Sequence, residues 1–370
     1  MNDFPDVVVV GGGVVGAACA RALARRAYRV ILCEPGPLPG AASPASAGML
    51  SAQIEPDELL LGLAVRARDL YPVLADELRE ATGVDIGLWR DGILSVAFDE
   101  VRADALQLNV AFQRQAGLLC DWLAGDEVRE RWPGVAPDCL GALYAPEDGA
   151  LDPAALTRAL LADATARGAV MRTERVTELL TRGDAVAGVR AGTTTIPAAH
   201  VVVAAGAWTG AIAGPTRRLP VEPVRGQLLS QPWPDGSARA IAFHSHHYVV
   251  SRGADAICGS TMERVGFDAS VTADGTADIQ REAARLLPAL AGAPVTRSWA
   301  GLRPLTPDGR PIIGPDDAVS GLWYAVGHGR QGVLLAGLTG EIVADLVATG
   351  ETEVDVSAVL PRQAPAAGGG

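Results

Sequence analysis

Lysine is missing altogether: all 31 basic residues of this 370-residue chain are arginine. That absence excludes Schiff-base catalysis, a lysine general base and the lysine of a phosphate-binding P-loop. Positive charge is short in general, since 43 acids leave a formal net charge of -12 and a pI near 4.9. No basic stretch reverses the balance, so nucleic acid is not an expected partner. Cysteine is sparse as well. Cys19, Cys33, Cys120, Cys139 and Cys258 are odd in number and nowhere form a CxxC pair, which argues against a disulfide framework or a metal site and suits a reducing cytoplasm. Export and membrane signals are wanting too. The apolar run over 7–20 follows the acidic "MNDFPD" where a secretion signal needs positive charge. The run over 191–216 has no Asp, Glu or Arg, but Pro197, His200, Gly206, Gly210, Gly214 and Pro215 interrupt it, so it reads as a buried strand followed by a loop. A cytoplasmic protein with no integral membrane segment is expected, and its length suits two domains or one large one.

What is present begins with "VVVVGGGVVGAACARALARRAYRVILCEP" over 7–35. Four valines predict a strand covered on both faces in a parallel sheet. Gly11, Gly13 and Gly16 follow in GxGxxG spacing, then an alanine-rich helix to Arg26 and a second strand over 30–32 that runs into Glu34. Gly11 permits the tight turn, Gly13 lets backbone approach a pyrophosphate, and Gly16 lets helix and strand pack closely. The helix N-terminus then faces the phosphates. Glu34 lies 18 residues beyond Gly16, where a carboxylate can accept hydrogen bonds from a ribose. The segment predicts a dinucleotide site without distinguishing NAD from FAD.

Other stretches add to it. "HVVVAAGAWTG" over 200–210 predicts a further strand of the same sheet, ending near the cofactor. Near the C-terminus a strand over 322–326, the turn "GHGRQG" and a helix over 332–348 place a second helix N-terminus there, suited to partial negative charge on a flavin ring; a packing helix flanked by glycines is the alternative. "GAASPASAGML" over 40–50 is rich in small and hydroxyl residues, which suits backbone lying against a flat cofactor, or a flexible loop. Arg303 sits in "SWAGLRPLTPDGRPIIG" and Arg330 in the last glycine-rich turn. An arginine among apolar and small residues is costly without an anion, and a carboxylate matches its planar fork; a structural ion pair with one of the acids is the other reading. "HSHHYVVSRGADAICGSTM" reads as a hairpin turning around Gly253, with His246 and Tyr248 on one face and His247 on the other. Alternation splits the three histidines, so no metal is expected.

Taken in order, "VVVVGGGVVG", "SPASAGMLSAQIEP", "VVVAAGAWTG", "FHSHHYVVSR", "GSTM", "WAGLRPLTPDGRPIIG" and "GHGRQGVLLAGLTG" resemble the D-amino acid oxidase superfamily of FAD-dependent amine oxidases, and most closely its glycine oxidase branch of the thiamine-pathway type. The likeness extends from Val7 to Gly350. It implies FAD held by Gly11, Gly13, Val14, Val15, Gly16, Glu34, Pro35, Ala42, Ser43, Ala47, Gly48, Met49, Val176, Gly206, His328, Gly329, Arg330, Gln331, Gly332, Val333 and Leu334. It also implies a substrate carboxylate on Arg303 and Arg330, an active-site His246 and Tyr248, and pocket walls of Met49, Tyr248 and Met262. Sarcosine-oxidase-like relatives attach flavin to a cysteine where this chain has Gly301, so non-covalent FAD is implied. They also use a lysine near the flavin in oxygen reduction, and this chain has none.

The implied fold is α/β: a discontinuous Rossmann-like FAD-binding domain over 1–86, 140–220 and 297–356, and an α+β substrate domain on an antiparallel sheet over 87–139 and 221–296. Strands are expected over 92–97, 225–231, 247–250 and 256–260, helices over 59–81, 101–117, 153–167 and 278–287, and a disordered tail over 357–370. The implied function is oxidative deamination of glycine or a small amine or D-amino acid. Hydride passes to flavin, oxygen accepts the electrons, and oxo acid, ammonia and hydrogen peroxide form. Alternatives are a dehydrogenase serving a quinone or other carrier, a non-catalytic flavin-binding module, and an NAD-dependent dehydrogenase. The sequence leaves the preferred amine open, and homo-oligomer formation with it.

Overall fold

The computed structural model describes residues 4–37, 41–55, 57–214 and 219–361. Strand Val7–Val10 lies inside a six-stranded sheet, flanked by His200–Val203 and Val30–Cys33. Leu322–Val326 and then Ile312–Pro315 extend the sheet on one side, and Val170–Arg172 on the other. All neighbours are parallel except Ile312–Pro315 against Leu322–Val326. Both faces of the first strand are buried, which is why its valines do not alternate with polar residues. Val7 and Val9 pack into a core with Ala17, Leu23, Tyr71, Leu156 and Ile342, on helices Val14–Arg25, Leu61–Thr82, Pro153–Ala166 and Gly332–Thr349. Val8 and Val10 face the other way, onto a three-stranded antiparallel sheet of Val176–Arg182, Ala185–Ala191 and Thr194–Pro197.

A second sheet has eight strands in the order Arg297–Leu305, Glu222–Pro232, Asp255–Gly259, His247–Arg252, Ile241–His244, Ile93–Ala97, Gly141–Ala145 and Asp121–Ala124. Ile241–His244 and Ile93–Ala97 run parallel, and the other neighbours are antiparallel. Helix Glu100–Gln115 begins at Asp99, whose carboxylate accepts from Arg102 N–H at 2.8 Å. The last helix, with its preceding turn, is long and apolar enough to cross a membrane, but most of it is buried inside the molecule, so it serves as a core helix here.

Several expectations need correction. Gly141–Ala145 and Arg297–Leu305 lie in the eight-stranded sheet and not in the parallel one. Their partners, Ile93–Ala97 and Glu222–Pro232, are distant in sequence, and local pattern cannot reveal such pairing. The helix expected over 278–287 starts five residues earlier, as Ala273–Leu286. Thr272 caps it by accepting from Gly275 N–H at 3.2 Å, so that glycine does not break it. Within the tail expected to be disordered, Val359 is buried and its carbonyl accepts from Ile313 N–H at 2.7 Å; residues 362–370 lie outside the described residues.

Candidate functional site

The carboxyl end of the parallel sheet builds one half of the site. Gly11 has φ +107°, and a Cβ there would run into the Ala204 carbonyl; a Cβ at Gly16 would run into the carbonyl of Gly11 itself. Only glycine allows strand ends and helix to approach this closely. Glu34 accepts from Gly12 N–H at 2.7 Å, and burial raises its carboxyl pKa. Ser43 Oγ accepts from Val14 N–H at 2.9 Å, drawing the segment after the second strand over the glycine turn. From Ala45, the carbonyl accepts the Trp299 indole N–H at 3.0 Å and ties that segment to the antiparallel sheet.

Between these parts lies a cavity of about 510 Å³. Gly11, Gly13, Val14, Val15, Glu34, Pro35, Ala42, Ser43, Val176 and Gly206 line it, as do His328, Gly329, Arg330, Gly332 and Val333. Gly16, Ala47, Gly48, Met49, Gln331 and Leu334 do not; Leu334 is buried in the helical core. Burial pushes the His328 imidazole down to about 4, and its Nε2 pairs with Thr339 Oγ1 at 3.1 Å, so a neutral ring stands ahead of the last helix. Arg158, Arg175, Trp208 and Leu302 also line the cavity; Trp208 lies in "VVVAAGAWTG" and Leu302 in "WAGLRPLTPDGRPIIG", whereas Arg158 and Arg175 belong to no motif read from the sequence. The glycine cradle, the ribose-type carboxylate and two helix N-termini fit FAD. A Cβ on Gly301 would lie 2.6 Å from Ala45 Cβ, so a larger residue at that position would collide with the same segment.

The antiparallel sheet supplies the other half. Arg303 stands opposite Val224 in register, and its guanidinium lies over Gly226, where any Cβ would collide with it. It donates from Nη1 to the Thr261 carbonyl at 3.0 Å and from Nη2 to Ser260 Oγ at 2.7 Å. Both acceptors are neutral, and among the described residues no carboxylate lies within ion-pair distance of it. Loss of hydration, then the nearby Arg330 charge, lowers its pKa, although some of its surface stays accessible. Tyr248 is buried opposite Gly259, whose missing Cβ leaves room for the phenol. Burial raises its pKa against the pull of Arg303, so the hydroxyl keeps its proton.

Arg330 is placed differently. Its Nη1 lies 2.6 Å from Glu55 Oε2, both side chains about 40% exposed, and its guanidinium sits 5.8 Å from the Phe243 ring centre. Met49 is partly buried against the hydrophobic cluster that includes Phe243 and Tyr248, whereas Met262 is 42% exposed. His246 departs from the alternation expected of it. Ser245 takes φ +57°, and Ser245 and His246 form the two-residue turn between Ile241–His244 and His247–Arg252. His246 is therefore exposed, its ring 4.2 Å from that of His247, which pairs with Asp278 at 3.0 Å. Neither turn residue is the Asn or Gly that usually marks such a hairpin, so the signal was missing. Ser260, Thr261 and Glu55 complete the site; they lie in the stretches "GSTM" and "SPASAGMLSAQIEP", which carry the resemblance without giving these three residues a role. Among the described residues no group of three His, Cys, Asp or Glu is placed to hold a metal.

Comparison with known proteins agrees with this fold. Residues 6–346 match the DAO family, described as FAD dependent oxidoreductase. A glycine oxidase of Geobacillus kaustophilus is 39% identical over 362 residues, 95% of each chain. The crystal structure of glycine oxidase from that organism superposes with a TM-score of 0.92 at 36% identity, covering 98% of this chain and 99% of the other. A bifunctional ThiO/ThiG protein of Trichormus variabilis is 34% identical over 92% of this chain and 52% of its own length. The crystal structure of an iminodiacetate oxidase from Chelativorans sp. BNC1 gives a TM-score of 0.86 at 26% identity, covering 96% and 98%.

Proposed function

The chain belongs to the DAO family of FAD-dependent oxidoreductases, and from that premise we propose that it oxidises glycine or another small amine or D-amino acid with oxygen as the electron acceptor. For glycine the balance is substrate, water and oxygen to glyoxylate, ammonia and hydrogen peroxide. One observation carries the reading: Arg303, whose strand neighbours Leu302 and Pro304 line the cofactor cavity, is seated by two neutral oxygens and pairs with no carboxylate among the described residues.

Gly11, Gly13, Glu34, Ser43 and the turn ahead of the last helix would hold FAD, without a covalent bond because Gly301 offers no nucleophile. FAD, when bound, supplies the acceptor for the hydride that leaves the substrate's α carbon. The protein's share is orientation. Two of the five guanidinium donors of Arg303 are spent on Thr261 and Ser260, which fixes its plane and leaves donors for a carboxylate in two-point contact. Tyr248, protonated and adjacent, adds a neutral hydrogen bond that does not repel the anion. Met49, packed against the cluster that holds Phe243 and Tyr248, would help confine the site to small substrates. The amine must be neutral to lose hydride, and its proton can leave to water, so the lack of lysine is no obstacle.

Arg303→Ala tests the reading. Titration of glycolate, followed by the flavin spectrum, should show binding weakened by at least ~1.5–3 kcal/mol, over tenfold, with FAD content unchanged. Arg303→Lys should recover only part, because a point charge lacks the fork. Wild-type glycolate affinity in Arg303→Ala would refute the carboxylate role.

A further inference from the structure

Arg330 is the second guanidinium of the site, close enough that its charge acts on both Arg303 and Tyr248. Unlike Arg303 it already has an anion, Glu55 at 2.6 Å. Described neighbours of Glu55 are anchored to the rest of the molecule. Two residues before it, Gln53 is fully buried: its backbone N–H donates to Asp148 Oδ2 at 3.0 Å, and its side-chain oxygen accepts from buried Arg68. Two residues after it, Asp57 pairs with Arg310 at 2.8 Å. Glu55 thus presents its carboxylate to Arg330, and the pair offers incoming ligands an electrically neutral surface where a lone arginine would attract anions.

We infer that Glu55 is a specificity-determining residue that turns the site away from amines bearing a second carboxylate, by neutralising Arg330. The inference deepens the proposed function and rests on it, since one substrate carboxylate is taken to lie on Arg303. A dicarboxylic amine of the iminodiacetate type carries its second carboxylate on the far side of the nitrogen. In this site that group meets either the Glu55 charge or an arginine already paired, and like charge at short range is the usual means of rejecting a wrong ligand. Glycine and its monocarboxylic relatives have no such group and do not meet the penalty.

The test compares two unreactive ligands on the FAD-loaded enzyme, glycolate with one carboxylate and diglycolate with two. Each is titrated by flavin absorbance into wild type, Glu55→Gln and Glu55→Ala, so that a folding defect peculiar to one variant leaves the other. The ratio of diglycolate to glycolate affinity should rise roughly tenfold or more in the variants, because Arg330 is released for the second carboxylate. Turnover of iminodiacetate relative to glycine should rise with it. If glycolate binds wild type and the ratio is the same in all three proteins, Glu55 does not set this preference, and the proposed function stands without it. If glycolate binds none of them, the carboxylate reading fails first and this inference falls with it.

Discussion

At Arg303 the physics is that of one charge seated among neutral groups. A guanidinium stripped of water and given only a carbonyl and a hydroxyl is stable enough to persist, yet its charge still favours an anion. Arg303 was legible in the sequence because no acid stands near it in "WAGLRPL". Both arginines were legible only as one of two alternatives, a ligand for substrate or an ion pair, and in the structure Arg330 holds Glu55. No local signal could choose, since the partner lies far away in the chain. Two positions before Arg303 on the same strand, Gly301 faces Ala45, and this crowding bears on how flavin is kept. Acid precipitation of the yellow protein should release intact FAD and leave a colourless pellet. Flavin remaining with the denatured polypeptide would contradict non-covalent binding.

Elements hold Arg303 in place through a second layer of charge. On strand Glu222–Pro232, Arg225 pairs with Glu263 at 2.9 Å. Glu263 Oε2 also accepts from Thr261 Oγ1 at 2.7 Å and from Gln227 Nε2 at 2.8 Å, and Gln227 N–H donates to Thr261 Oγ1 at 3.0 Å. This network fixes the segment after Asp255–Gly259, whose Ser260 hydroxyl and Thr261 carbonyl seat the guanidinium. The hydrogen bonds from Arg225 pull the Glu263 carboxyl down from 4.5 to about 2. A carboxyl depressed on folding contributes stability that is fully present above its unfolded pKa and is lost as pH falls through the folded one. Urea midpoints measured against pH should therefore drop between about 4.5 and 2 in wild type, and Glu263→Gln should start lower and fall less steeply over that window. Parallel curves for the two proteins would show that the network contributes no pH-dependent stability. Here the sequence was least informative: "GSTM" marked the segment by resemblance, while a hairpin without Asn or Gly hid the displacement of His246.

Across the whole molecule, the site lies where two sheets meet. The parallel sheet was legible because its strand, glycine turn, helix and terminal acid are consecutive, and each repeats a local rule. Sheet membership of Gly141–Ala145 and Arg297–Leu305 depends on partners far along the chain, which local pattern does not reveal. The proposed function rests on the meeting of the sheets: one carries the proposed cofactor cradle and Arg330, the other carries Arg303 and Tyr248, and an isolated bridge between Leu305 and His328 joins them. The measurement that tests this most directly is anaerobic mixing of glycine, sarcosine and small D-amino acids with the FAD-loaded protein while the visible flavin absorbance is followed. At least one of these should bleach the flavin rapidly, bulky amino acids should do so poorly, and readmitted air should restore the colour with one hydrogen peroxide per flavin. A flavin that stays oxidised with every one of these amines would contradict the account.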